Sequence, residues 1–365
     1  MQAWVIDIRK KLNSEIIAIP HELTPKHLPG LDGLRGISIL IVILGHLLNT
    51  TSLGSLYIGN VGVDTFFVIS GFLITTLLLK ERVTKGKISL RHFYVRRALR
   101  ILPVAYLFIV VLIILNHIYH LQITSKSFLT AALYLKNIPF KNAGEWYTGP
   151  FWSLSVEEQY YLIFPALLVY MPARYIYIIA FAVLFIPVIS YIGYHNIGDL
   201  QGHPSIHLIV FIIINVFGKG TISILIGSAT AILVFKNIIK IEKLQYNYWL
   251  STILLIVGIA LEIFTKDRYV CPVIFALIIS FVILNTLSQK TFLHRLLEIK
   301  SLVYIGVISY SLYIWQQIFT SSQPWANQFP FSSSCIFNVI ALFTVATASY
   351  YLYELKFLRL KKYFK

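Results

Sequence analysis

The stretch LDGLRGISILIVILGHLL, residues 31–48, decides the class of this protein. From Leu34 to Leu48 it is aliphatic or glycine apart from Arg35, Ser38 and His46. A helix needs about 20 mostly apolar residues to cross the hydrocarbon core of a bilayer, and with its flanks this stretch approaches that length. Lipid offers no partner to open backbone N–H and C=O groups, so such a segment must be helical.

The same pattern recurs along the chain. Val104–Leu115, Leu162–Tyr170, Ile176–Ile189, Thr221–Phe235, Leu250–Ile263, Val273–Leu287 and Ile336–Tyr353 are apolar runs with little or no charge. Of 365 residues 57% are hydrophobic and 13% charged, and the mean hydropathy is +0.75. A soluble domain carries about 25% charged residues, so this chain lacks the polar surface to cover a water-soluble body. The expected fold is all-α, a polytopic integral membrane protein. Spans are expected near 34–48, 61–79, 101–118, 156–170 and 175–194, then from about Thr221, Tyr248, Val270, Leu302 and Cys335, about ten in all. Phe128–Phe140 and His207–Phe217 are too short to cross alone.

The net charge of +16 does not imply nucleic acid, because the basic residues sit between apolar runs. Lys and Arg concentrate in cytoplasmic loops. With both termini cytoplasmic and ten crossings, roughly 25 Lys and Arg fall inside, while Lys126, Lys136, Lys141, Lys219, Lys266 and Arg268 fall outside. Residues 1–27 read as a cytoplasmic lead-in, with an amphipathic pattern in Trp4, Ile6, Ile8, Leu12, Ile16 and Ile17. Residues 28–365 read as one transmembrane domain. Met1-Gln2-Ala3-Trp4 lacks the basic and apolar regions of a cleavable signal peptide. Cys271 and Cys335 fall at outer span ends, where a disulfide is geometrically feasible; two unpaired core residues is the favoured reading.

Four constellations could carry chemistry. Arg35 and His46, eleven residues apart, share a helix face about 16 Å apart along the axis. A histidine at membrane depth marks a functional site unless it is an interhelical hydrogen-bonding residue, and a near-neutral imidazole is the usual base for a hydroxyl. In the second, GNVGVDTFFVISGF (59–72), Asp64 opens a span, where it could cap the helix or orient His46; Gly62 and Gly71 permit close helix approach. In the third, FYVRRALRILP (93–103), Arg97 and Arg100 share a face if helical and suit phosphate and pyrophosphate, against ordinary positive-inside charge or anionic-lipid contact. In the fourth, FWSLSVEEQYY (151–161), Ser155 and Glu158 have capping-box spacing. That leaves Glu157 as the stronger candidate for proton transfer or for holding a charged histidine. Trp152 and Tyr160 are belt aromatics or a stacking platform for a sugar.

Together these residues resemble the acyltransferase 3 family of membrane proteins, from about Leu28 to the tail. LDGLRGISILIVILGH carries its R-x10-H opening, VGVDTFFVISGFLI its second-span motif, FYVRRALRILP its R-x-x-R loop, FWSLSVEEQYYLIFP its acidic motif, and YIGVISYSLYIWQ (304–316) its late-span motif. The resemblance implies acyl-CoA as donor, commonly acetyl-CoA; no metal is expected, because the ten histidines show no ligand spacing on one helix face. It implies O-acylation of a lipid-linked or exported glycan at the bacterial cytoplasmic membrane. His46 is then the catalytic histidine, with Glu157, Asp64 and Glu158 supporting it. Arg35, Arg97 and Arg100 hold the donor, and Trp152, Ser153 and Tyr160 the acceptor. Two departures stand out. Gln316 stands where many members have histidine, and Glu354-Leu355-Lys356 stands where many members have Glu, a basic residue and Pro; both departures put the role of that late region in doubt. Some members carry an extracellular hydrolase-like domain; without one, the chain is expected to serve its acceptor directly or through a partner. The competing readings are a transporter or flippase, disfavoured by the absence of repeats, and a transmembrane acyl relay for a separate enzyme.

Overall fold

A computed structural model describes residues 2–25, 27–48, 58–140, 146–195, 204–218, 220–243, 248–265, 271–287 and 291–364. Lys26, Lys141, Lys219, Lys266, Arg268, Val270, Lys290 and Lys365, all used in the charge and span reading, lie outside these. Among the described residues the structure is helical, with no strand.

The lead-in is a helix, α1 (Gln2–Asn13). The first predicted span is α2 (Pro29–Leu47), and the second is α3 (Ile58–Lys85). The third is α4 (Leu90–Tyr119), opened by Ser89, whose side chain accepts from the His92 N–H. The short apolar stretch after it holds only α5 (Ser125–Ala132). Next come α6 (Phe151–Tyr170), α7 (Tyr175–Tyr194), and α8 (Pro204–Ile212) running into a π-helical turn, Ile213–Gly218. Helices α9 (Thr221–Phe235), α10 (Leu250–Phe264), α11 (Cys271–Leu287) and α12 (Phe292–Leu297) follow. The late motif breaks into α13 (Lys300–Val307) and α14 (Ser309–Phe319), bent by 75°. The last elements are α15 (Cys335–Ala348), a π-helical turn and α16 (Leu355–Leu360).

Among the described residues five helices are long and apolar enough to cross a membrane, or up to seven if each bent pair counts as one span. Their outward faces carry large apolar side chains: Val110, Ile113, Ile114 and Ile118 on α4, Phe181 and Leu184 on α7. A water-soluble protein does not leave apolar surface of this extent uncovered; lipid covers it. The fold is therefore all-helical with several membrane-span candidates.

The chain forms two compact units. The first comprises Met1–Arg35, Asp64–Ile88 and Val156–Val303. Here α3 and α9 meet through reciprocal glycines: a Cβ on Gly71 would strike the Ile224 carbonyl, and one on Gly227 the Val68 carbonyl. Small residues let helix backbones touch where lipid supplies no hydrophobic drive. Asn13 and Ser14, at the end of α1, are held by the Tyr177 hydroxyl (3.3 Å, to Asn13 Oδ1) and by Lys236 Nζ (2.6 Å, to the Ser14 carbonyl).

The second unit comprises Gly36–Val63, Ser89–Ser155 and Tyr304–Lys365. Gly45 sits on the backbone of Gly59, and Gly62 on the Ser38 carbonyl, so α2 and the start of α3 are in backbone contact. Helix α14 is tied to α4 by the Tyr310 hydroxyl, which donates to the Ile101 carbonyl at 2.7 Å, and by Trp315 packed edge-on to Phe108. Glu354, buried in the tail, accepts from the Ser311 hydroxyl at 2.8 Å. Cys271, in the first unit, is buried and Cys335 is exposed, and neither is in a disulfide.

Candidate functional site

His46 lies in the last turn of α2, in the second unit. Its Nδ1 is 2.6 Å from Oε1 of Gln316. Its ring meets that of Trp146 edge-on, centroids 5.2 Å apart at 63°. Its backbone carbonyl accepts from the Ser321 hydroxyl at 2.6 Å. Nε2 has no hydrogen-bond partner among the described residues and lies along Gly59, where an added Cβ would stand 3.9 Å from it.

The late motif, whose role the glutamine at 316 put in doubt, supplies this partner. The break between α13 and α14 falls after Gly306, Val307 and Ile308, a run of weak helix formers. Gln316 and Gln317 then sit in the core of the unit, 0% and 2% exposed. Two buried amides in an apolar helix must find partners. Gln316 Nε2 donates to Gln317 Oε1 at 2.9 Å, and Gln317 Nε2 donates to the Trp146 carbonyl at 2.8 Å. The Trp146 indole N–H returns a bond to the Gln317 carbonyl at 3.0 Å. Gln317 and Trp146 were not singled out in the sequence; the signal available was a pair of adjacent amides inside an apolar run, costly at that depth unless partnered.

In the same unit Arg97 and Arg100 lie one turn apart on α4, which settles their shared face. Lys361, in the last helical turn of the tail, stands within electrostatic reach of Arg100, Arg97, Arg96 and Glu354. Arg96 Nη1 donates to the Phe364 carbonyl at 2.7 Å and holds the tail against α4. Trp152 is half-buried. Ser153 is buried and hydrogen-bonded to the Tyr313 hydroxyl and the Pro150 carbonyl, so its hydroxyl is already engaged.

The first unit holds the remaining candidates. Asp64 does not cap α3: the helix begins at Ile58, so Asp64 is in its second turn, hydrogen-bonded to Ser223 and within electrostatic reach of Glu262. The capping box at Ser155 and Glu158 is also absent. Helix α6 starts at Phe151, and the Ser155 hydroxyl donates back to the Phe151 carbonyl at 2.6 Å. Glu157 accepts from the Ser70 hydroxyl at 2.6 Å. Tyr160 is not an open stacking platform. It is 3% exposed, its ring stacks on Phe164 at 4.7 Å, and its hydroxyl joins a chain through Tyr175 and Ser228 to Thr75. Arg35 donates to Asp32 Oδ1 at 3.3 Å, while His27 Nε2 sits 2.6 Å from the other oxygen of the same carboxylate. Among the described residues no three His, Cys, Asp or Glu side chains converge as a metal site requires.

Among the described residues the second unit offers an imidazole held at one nitrogen and without a hydrogen-bond partner at the other, a geometry suited to a base for a hydroxyl proton. Residues 28–354 match the acyltransferase-domain family. The chain is 30% identical over 334 residues to "O-acetyltransferase OatA" of Staphylococcus aureus strain NCTC 8325 / PS 47, covering 84% of this chain and 53% of that protein. The same identity and coverage hold for the protein of that name from strain COL. The chain thus spans about half the length of the curated relatives it matches. No solved structure matches it.

Proposed function

The chain belongs to the acyltransferase 3 family, and from that premise we propose that it is a membrane O-acetyltransferase. It moves an acetyl group from cytoplasmic acetyl-CoA to a sugar hydroxyl of a lipid-linked or exported glycan. The observation that carries the reading is His46, bound at Nδ1 and open at Nε2, on the family's opening motif. Nε2 takes the proton of the acceptor hydroxyl, and the freed oxygen attacks the thioester carbonyl. The C–S bond breaks, the acetyl ester forms, and the CoA sulfur leaves with the proton returned from the imidazolium. Base catalysis of this kind contributes about 10²–10⁴-fold.

Arg97 and Arg100 hold the donor's phosphates. Trp152 contacts the acceptor. Ten crossings, with both termini on the cytoplasmic face of the bacterial inner membrane, place the arginines on the side where acyl-CoA is found.

The test uses isotope-labelled acetyl-CoA and membranes containing wild type or His46→Ala at matched levels. Label entering the glycan and lipid-linked sugar fraction with wild type, and lost with the variant, is the expected result. Equal incorporation removes His46 from the chemistry. No incorporation with either counts against the enzyme reading and points to another acyl donor, a missing acceptor or a transporter.

A further inference from the structure

We infer that Gln317 and Gln316 form a directional amide relay that fixes His46 as its Nδ1–H tautomer and leaves Nε2 as the proton acceptor. The inference rests on the acyl-transfer reading only for what Nε2 then does.

The relay is anchored where no choice exists. A backbone carbonyl can only accept, and the Trp146 carbonyl lies 2.8 Å from the Gln317 amide, so the group facing it is the NH₂. The Gly149 N–H donates to the same oxygen at 2.8 Å, filling its second lone pair. Gln317 Oε1 is thereby turned toward Gln316 and must meet a donor, which is the Gln316 NH₂ at 2.9 Å. Gln316 Oε1 is in turn presented to His46 Nδ1 at 2.6 Å. The Thr320 hydroxyl, 3.4 Å from that oxygen, has a better acceptor in the Gln316 carbonyl at 3.0 Å. The proton between Gln316 and His46 therefore belongs to Nδ1. A neutral imidazole carries one N–H, so Nε2 keeps its lone pair.

Reversing either amide would set two carbonyl oxygens against each other. Gln316 and Gln317 are 0% and 2% exposed, which leaves no room for water to repair the loss. Both ends are braced by the Trp146 indole bond to the Gln317 carbonyl and the Ser321 bond to the His46 carbonyl. Gly149 is required for the approach, since a Cβ there would stand 2.9 Å from Gln317 Nε2. Gln316 and Gln317 are thus positioning residues for His46.

The experiment reads the tautomer directly. The full chain, labelled with ring-¹⁵N histidine and placed in lipid nanodiscs, is compared with its variants at a pH where the ring is neutral. The His46 signals are identified by their loss in His46→Ala. Wild type is expected to show a protonated Nδ1 and a bare Nε2. Gln317→Met cuts the relay from its anchor and should give mixed tautomers. Gln316→Glu combined with Gln317→Met should restore the Nδ1–H form, because a carboxylate accepts whichever way it turns; this rescue separates relay from packing. In acetyl transfer, Gln317→Met should lower kcat about 10- to 100-fold with the donor KM unchanged, and the double variant should recover most of it. An Nε2–H tautomer in wild type, or one unmoved by Gln317→Met, overturns the relay. If wild type transfers acetyl with an Nε2–H tautomer, the relay falls and the enzyme reading stands. If it shows Nδ1–H and transfers nothing, the enzyme reading falls and the relay stands.

Discussion

At Arg97, Arg100 and Lys361 the second unit gathers cationic side chains with Glu354 as a carboxylate in reach. Charge of this density suits a ligand with several phosphate oxygens. A charged hydrogen bond is worth about 1.5–3 kcal/mol, or roughly tenfold or more in affinity. Arg100→Gln should therefore raise the KM for acetyl-CoA about tenfold or more, with kcat little changed, in steady-state transfer assays. A fall in kcat alone would move Arg100 from donor binding to the reaction itself. Trp146 makes a complementary test. Trp146→Phe keeps an aromatic edge beside His46 but removes the indole donor to the Gln317 carbonyl, and about 1 kcal/mol of stability should go with it in thermal unfolding. Residue types alone left His46 between catalysis and an interhelical hydrogen bond, because a histidine inside an apolar helix is costly without a partner or a use. They did not identify its partner, because Gln316 is 270 positions away and only folding brings it to Nδ1.

Helix starts decided which side chains were free for chemistry. The sequence reading began α3 at Val61 and α6 at Val156; both helices start earlier, at Ile58 and Phe151. The earlier starts convert Asp64 from a cap to an interior carboxylate bonded to Ser223, and Ser155 from a cap to a back-bonded interior serine. Helix ends are the least legible feature of a sequence, since flanking polar residues are compatible with either state. Helix contacts were more legible. Gly62 and Gly71 were expected to allow close approach, and each meets a carbonyl of a neighbouring helix. Gly71→Leu should lower stability by about 1–3 kcal/mol or more through overpacking, read as earlier thermal unfolding in detergent. Gly86→Ala is the control. Its φ of +73° carries a strain cost of about 1–2 kcal/mol but no steric neighbour, so it should leave the α3–α9 packing, followed by cross-linking of that helix pair, unchanged.

For the molecule as a whole the testable quantity is orientation. With both termini inside, Cys335 at the start of α15 faces outward, and it is exposed while Cys271 is buried. A membrane-impermeant maleimide added to intact cells should label the chain, and Cys335→Ser should abolish the labelling. Labelling only after permeabilisation would invert the topology and put Arg97 and Arg100 on the wrong side for an acyl-CoA.

Composition and apolar periodicity by themselves determined that this chain is all-helical and suited to lipid, because open backbone groups have no partner there. Linear motifs determined the family, because they sit on contiguous residues. Tertiary structure alone decided what His46 leans on, which carboxylates and tyrosines are already engaged, and which nitrogen is left open. Those are contacts between residues far apart in sequence, and the burial that makes each amide orientation costly to reverse exists only once the helices have packed.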